Sequence, residues 1–280
     1  MNSEMEIARL RREHDFDVNQ LLVSNAGSLS EVDSSVHSSS AFSDATQGEI
    51  ANSVESSWWY ETRNEIIVRK LRKCGFLGTL WDIGSGTGVV TSAIVAGGMP
   101  SMAVEPSKGG AILAAARQLP SIHGTLEGLK LPDSCITEIG AFDVLEHIEN
   151  RDRFLEEIFR VLRPGGRFIL TVPALSLLWS QADVDARHFL RYSRRTLRKE
   201  LESHGFEVDS NGYFFGLTVL PLLLIRSIPF RLHIRSRISD DSTLRANGGL
   251  IGRLARSIEV AVAGYLPFGS SLLAVARKPD

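Results

Sequence analysis

The chain has 280 residues, 43% hydrophobic and 23% charged, enough to bury a full core in one large domain or two small ones. With 31 basic and 33 acidic side chains the formal net charge is −2, so the basic surplus of a dedicated nucleic-acid binder is missing. Cys74 and Cys135 belong to no CxxC pair, which argues against a disulfide scaffold and a thiolate zinc site and for small core residues in a reducing compartment.

The opening MNSEMEIARLRREHDFD offers no apolar stretch of signal-peptide type. Residues 1–53, serine-rich from Ser24 onward, read as a flexible or loosely packed extension, and 54–280 as a single domain. The aromatic cluster Trp58-Trp59-Tyr60 leads into a predicted helix reaching about Arg72, with Ile66, Ile67 and Leu71 on its buried face. Strands are then predicted at Leu80–Ile83, Ser101–Glu105, Ser121–Leu126, Ile136–Asp143, Arg167–Val172, Phe206–Asp209 and Ser271–Ala276. Helices fall between them at Val89–Ala96, Gly109–Leu119 and Asp152–Leu162. A further helix, capped by Ser193 or Thr196, ends at Gly205. This alternation predicts an α/β fold with a mostly parallel seven-stranded sheet covered by helices on both faces. A long insertion, 210–268, precedes the last strand. It holds an apolar run from Tyr213 to Ile225, a basic polar stretch at Arg231–Arg245 and a predicted helix at Leu250–Val262. The apolar run is about 13 residues and contains Pro221, whereas a spanning helix needs about 20.

The loop Asp82-Ile83-Gly84-Ser85-Gly86-Thr87-Gly88 follows the first strand and opens a helix, where glycines let the backbone turn tightly and approach a ligand. The dinucleotide fingerprint needs glycine at position 89, and the chain has Val89; taken alone, such a loop can be simply a tight turn. Glu105, closing the second strand, could accept both hydroxyls of a ribose or be an ordinary strand end.

Several separated segments together resemble the class I S-adenosylmethionine-dependent methyltransferases, of the kind grouped with small-molecule, lipid or quinone methyltransferases. They are LWDIGSGTG at 80–88, AVEPS at 103–107, GTLEGLKLPD at 124–133, FDVLEHIEN at 142–150 and EEIFRVLRPGGRFILTVP at 156–173. The resemblance covers roughly residues 77–210 and implies a Rossmann-like fold and S-adenosylmethionine as cofactor. It further implies that Asp82 and the loop Gly84, Ser85, Gly86, Thr87 and Gly88 cradle the methionine part. Glu105 would hold the ribose, Pro106 would lie beside the adenine, and Leu126 would offer it a backbone amide. The family often has Asp-Ala where this chain has Thr125-Leu126, so Thr125 or Glu127 would replace that Asp. Leu145, Glu146 and His147 would line the cleft near the sulfonium, or Glu146 and His147 would cap the next helix.

Methyl transfer first needs an aligned nucleophile, and a base only where the acceptor loses a proton. No metal-ligand cluster is apparent in the spacing, so no metal is expected. The loop after the fifth strand carries Trp179, Asp183, Asp185, His188, Arg191 and Tyr192. His188 reads as a base or head-group ligand, Arg191 as a site for phosphate or carboxylate, and Tyr192 as an acceptor contact. Alternatively these residues form a polar network that only folds the loop. Trp58, Trp59 and Tyr60 read as a lid over the ligands or a packed helix start. Tyr213 and the insertion resemble the end of a subgroup acting on lipid-like or glycan-linked acceptors. The insertion reads as an apolar acceptor pocket, a peripheral contact with an anionic membrane, or a homodimer face. The expected activity is methylation of a small, apolar acceptor, with oxygen favoured, in a cytoplasmic or membrane-associated setting. The competing classes are a non-catalytic or partner-dependent protein with this fold and a nicotinamide-dependent oxidoreductase.

Overall fold

The computed structural model describes residues 57–234 and 250–280, together with Ala8. The extension expected at 1–53 and most of the basic stretch after Ile234 lie outside the described residues. The first helix, α1 (Trp58–Cys74), buries Ile66, Ile67 and Leu71 as the apolar spacing predicts. A doubly wound unit follows: β1 (Leu80–Ile83), α2 (Val89–Ala96), β2 (Ser101–Glu105), α3 (Lys108–Ala116), β3 (Ser121–His123) and β4 (Ile136–Phe142). Next come α4 (Arg151–Val161), β5 (Leu162–Pro173), the short α5 (Gln181–Asp185), α6 (Arg194–Ser203) and β6 (Glu207–Phe214). The chain continues through a helical rod made of α7 (Val219–Leu222), a π-helical turn (Leu223–Ser227) and α8 (Ile228–Arg231). After α9 (Leu250–Val262), β7 (Ser271–Arg277) completes the sheet.

The sheet order is β3-β2-β1-β4-β5-β7-β6, parallel except for β7, which runs antiparallel to both of its neighbours. Helices cover both faces. One core gathers Trp81, Leu126, Leu155, Ile158 and Phe168; the other packs Ile66, Ile67, Ile94 and Phe214 beneath α1. β1 is fully buried, which explains why it reads as an apolar run without alternation.

Three strand boundaries differ from expectation by three residues or more. β3 stops at His123 rather than Leu126, because the chain turns there and the Thr125 hydroxyl accepts the Gly128 amide at 3.0 Å. β5 begins at Leu162, with residues 163–166 bulging between the pairs Ile136–Leu162 and Glu138–Arg167, so Arg163-Pro164-Gly165-Gly166 lies inside the strand. β6 runs on to Phe214, and Tyr213 pairs with Leu272 of β7. The insertion therefore starts after Phe214, not at residue 210, and Tyr213 belongs to the sheet.

Candidate active site

In an open α/β sheet, ligands bind beyond the carboxyl ends of the strands where the connections diverge, here between β1 and β4. β1 delivers Asp82 to that edge and turns through Gly84–Gly88 into α2. Gly84 (φ +72°) and Gly88 (φ +77°) have left-handed backbones, and an added Cβ would lie 2.8 Å from Val144 at the first and 2.7 Å from Leu119 at the second. Glu105 fastens the loop from the end of β2: its carboxylate accepts the Gly86 amide at 2.7 Å and the Ser107 amide at 2.9 Å, through different oxygens. Each oxygen has a second lone pair, so Glu105 can hold the loop and still accept from a ligand diol. Thr87 anchors the loop's far side by accepting the Arg117 guanidinium on its carbonyl at 2.7 Å.

Asp82 is 1% exposed and accepts the Thr91 hydroxyl at 2.6 Å. Burial raises its pKa to about 7, with Glu105 adding to the rise and Thr91 and Arg63 opposing it. A cation placed beside Asp82 would restore the ionised form. The Ser85 hydroxyl is buried with no hydrogen-bond partner among the described residues, an orphan that a polar ligand would satisfy. These features fit a ligand that combines positive charge with a ribose diol. Pro106 is half-buried after Glu105, whereas the Leu126 and Leu145 side chains are in the core. The Thr125 hydroxyl accepts the Gly128 amide within its own turn.

α1 closes one side of the edge. Arg63 forms an ion pair with Asp143, the residue after β4, which also accepts the Thr171 hydroxyl at 3.1 Å. The Arg63 guanidinium lies over Trp59 and Tyr60, 4.8 and 5.0 Å from their ring centroids. Burial raises the Tyr60 phenol pKa, against the pull of Arg63. Trp59 stacks on Phe215 at 5.5 Å, and the Trp58 indole donates to the Gly252 carbonyl at 3.0 Å. The aromatic cluster thus ties α1 to the insertion as well as to the cleft.

The opposite side is built on Asp183, whose side chain is fully buried. It accepts the Ser180 amide at 2.9 Å, His188 Nδ1 at 2.9 Å, and Arg191 through Nε at 2.7 Å and Nη2 at 3.1 Å. Burial pushes the Asp183 carboxyl up, but His188, Arg191 and Ser180 outweigh it and hold the pKa below its ordinary value. An ionised Asp183 takes the proton-bearing Nδ1 of His188, leaving Nε2 as the nitrogen with the lone pair. The Phe189 amide donates to the Glu146 carbonyl at 2.8 Å, which pins this loop to the 3₁₀ turn Leu145–His147. The His147 and His188 rings meet edge to face at 4.7 Å. Burial, then the neighbouring His188, lower the His147 pKa to about 4, so that ring is neutral at physiological pH. Burial, then Asp143, raise the Glu146 pKa well above the usual carboxylate range.

The structure brings His188 and His147 together, and beside them Glu146; each offers one ligand atom within 4.8 Å of the others. The expectation of no metal-ligand cluster is corrected to that extent, since the three converge only when the loop folds back over the 3₁₀ turn. Tyr192 is fully buried in the core, with no surface to offer an acceptor. Tyr213 is 7% exposed beneath the Arg194 guanidinium, 4.7 Å from it, and its hydroxyl accepts the Arg194 amide at 3.3 Å. Arg191 also donates through Nη1 to the Ala174 carbonyl at 3.1 Å, so each of its three nitrogens bonds within the protein and it serves as a positioning group for Asp183. Trp179 is half-buried in the same loop. Arg63, Asp143 and the hub role of Asp183 went unread in the sequence.

Residues 81–170 match the family model of the methyltransferase domain. A probable S-adenosylmethionine-dependent methyltransferase of Mycolicibacterium smegmatis is 30% identical over 167 residues, 58% of this chain and 65% of that protein. The mitochondrial ubiquinone biosynthesis O-methyltransferase of Schizosaccharomyces pombe is 30% identical over 43% of this chain and 47% of its own length. The chain spans less than two thirds of either curated relative. Among solved structures, a methyltransferase in complex with the Haloferax volcanii Trm112 methyltransferase activator superposes with a TM-score of 0.55 at 18% identity, covering 85% of this chain and 94% of that one. At that identity the likeness establishes the fold.

Proposed function

We propose that the chain, which belongs to the class I S-adenosylmethionine-dependent methyltransferase family, transfers a methyl group to the oxygen of a small, apolar, quinone- or lipid-like hydroxyl compound. The observation that carries this reading is the pairing, across one strand edge, of a ribose-ready carboxylate locked to a glycine loop with a histidine locked to an ionised aspartate. When bound, S-adenosylmethionine supplies an electrophilic methyl group on a sulfonium, and its transfer to oxygen leaves S-adenosylhomocysteine and a proton.

The chain's own residues bind, orient and take up that proton. Glu105 accepts the ribose hydroxyls, and Asp82, whose carboxyl burial has raised, ionises beside the cofactor's ammonium. Raised acids at Asp82 and Glu146 place negative charge within reach of the cationic ligand without committing it beforehand. His188 Nε2 removes the hydroxyl proton, while Asp183 holds the ring and stabilises the imidazolium that forms. Neutral His147 keeps a second positive charge away from His188. The near-balanced net charge, −2, supports a small molecule over nucleic acid as acceptor. Support for a quinone-like acceptor comes from the ubiquinone O-methyltransferase relative.

The test is methyl transfer from labelled S-adenosylmethionine to a panel of catechols, prenylated phenols and amines. Product with phenols, lost in His188→Ala while S-adenosylhomocysteine still binds, supports the reading. Transfer only to amines, or none to any acceptor, contradicts it.

A further inference from the structure

The helical rod Val219–Arg231 turns large apolar side chains to solvent. Leu217, Leu220, Leu224, Ile228 and Leu232 recur at helical spacing and are 52, 62, 55, 37 and 63% exposed, with Ile234 next at 57%. Large apolar groups exposed in a row cost solvation unless something covers them. The charge carried by this segment of the sequence has one sign. Between Asp209 and Asp240 the sequence contains Arg226, Arg231, Arg235 and Arg237 and no acidic residue at all. Among the described residues no helix is long and apolar enough to cross a membrane, so the stripe is not part of a spanning helix there. It also adjoins the candidate active site: Arg231 donates to the Leu177 carbonyl at 3.1 Å, in the loop that carries His188. Leu177 and Phe189, also in that loop, are 51 and 52% exposed and extend the apolar surface toward the site.

We infer that this face docks on an anionic bilayer, with the leucine stripe sunk among the acyl-chain ends and the rod's own Arg226 and Arg231 at the headgroups. The inference deepens the proposed function and rests on its apolar acceptor, because the site's loop would then open onto the phase in which such a compound dissolves. An amphipathic rod of this kind lies in the interface plane, held by buried apolar area and by attraction between its cations and acidic lipids. Charge favours the bilayer over a second copy of the chain. Two such faces meeting would oppose arginine to arginine, with no carboxylate in the segment to neutralise either. Residues 24–56 are rich in serine and 235–249 contribute only Ile238 and Leu244 as large apolar residues, so neither stretch suits the stripe as a cover.

The experiment is cosedimentation of the full chain with vesicles of phosphatidylglycerol mixed with phosphatidylcholine, and with vesicles of phosphatidylcholine alone. The inference expects at least tenfold stronger partitioning to the anionic vesicles, weakened by salt. It also expects about a tenfold loss in the variant L220S/L224S, both positions being more than half exposed. Calorimetry of S-adenosylhomocysteine with the same variant separates this inference from the proposed function: unchanged affinity shows an intact fold and cofactor site whatever the vesicles show. Three results overturn the inference: no partitioning, partitioning equal on both lipids or indifferent to L220S/L224S, or a lipid-free dimer that the variant converts to monomer.

Discussion

Arg63 of α1 is paired with Asp143, the residue that ends β4's approach to the site, although the two lie 80 positions apart in sequence. The pair fixes α1 to the strand edge from which the site is built. The Arg63 side chain is 7% exposed and that of Asp143 21%, so removing the guanidinium strands a largely buried carboxylate. Arg63→Ala is expected to lower stability by about 2–4 kcal/mol, somewhat under the full cost of an unpaired buried charge because Asp143 keeps some water. It should also weaken S-adenosylhomocysteine binding, since α1 loses its hold on the cleft. Denaturant unfolding and calorimetry measure the two effects, and unchanged values in both would refute the role of the pair.

Asp183 gives a prediction on rate. On the proposed mechanism Asp183→Asn removes the charge that orients His188 and supports the imidazolium, so kcat should fall by about 10²–10⁴ while cofactor affinity is retained. An unchanged kcat, or a loss of kcat matched by an equal loss of S-adenosylhomocysteine affinity, would indicate a purely structural hub.

Asp82 couples binding, stability and pH. Its folded pKa, about 7, lies above its ordinary value of 3.8, so its contribution to stability is fully present below the lower value and lost as pH rises through the upper one. Asp82→Asn keeps an acceptor for Thr91 and escapes that loss. The variant should therefore melt higher than wild type at pH 8, with the gap shrinking toward pH 5, while binding of S-adenosylhomocysteine drops at least tenfold. In wild type that binding should release protons near pH 7, as the ligand's ammonium favours ionised Asp82. Calorimetry in buffers of different ionisation enthalpy reads the release, and proton uptake would contradict the assignment.

The convergence of Glu146, His147 and His188 predicts an effect of metal. A base needs the His188 Nε2 lone pair, and a bound cation would occupy it. Chelator treatment should leave methyl transfer intact, and added zinc should inhibit, with Glu146→Gln relieving the inhibition. Activity lost on chelation and restored by a divalent cation would overturn the metal-free base.

The strands, α1 and the glycine loop were legible because their signals are local: apolar runs, helical spacing and glycines at fixed offsets. Glu105 was legible for the same reason, as it follows its loop by one strand and one helix. The Asp183 hub was only half legible. The sequence shows the polar residues of the loop, but whether they open to an acceptor or close on one another depends on a fold in which Asp183 takes both His188 and Arg191. Tyr192 and Tyr213 looked like ligand contacts because aromatic residues serve core and pocket equally well, and only the sheet pairing of Tyr213 with Leu272 settles its place. The Arg63–Asp143 pair left no local trace, since nothing in either neighbourhood names the other.

The central claim is a cofactor site built from the glycine loop and Glu105, and calorimetric titration with S-adenosylhomocysteine tests it most directly, using NAD as the comparison. The account predicts binding by the wild type, a loss of about ten- to a hundredfold in Glu105→Ala as charge-assisted hydrogen bonds are removed, and no binding of NAD. Absence of S-adenosylhomocysteine binding, or equal binding by the variant, would contradict it.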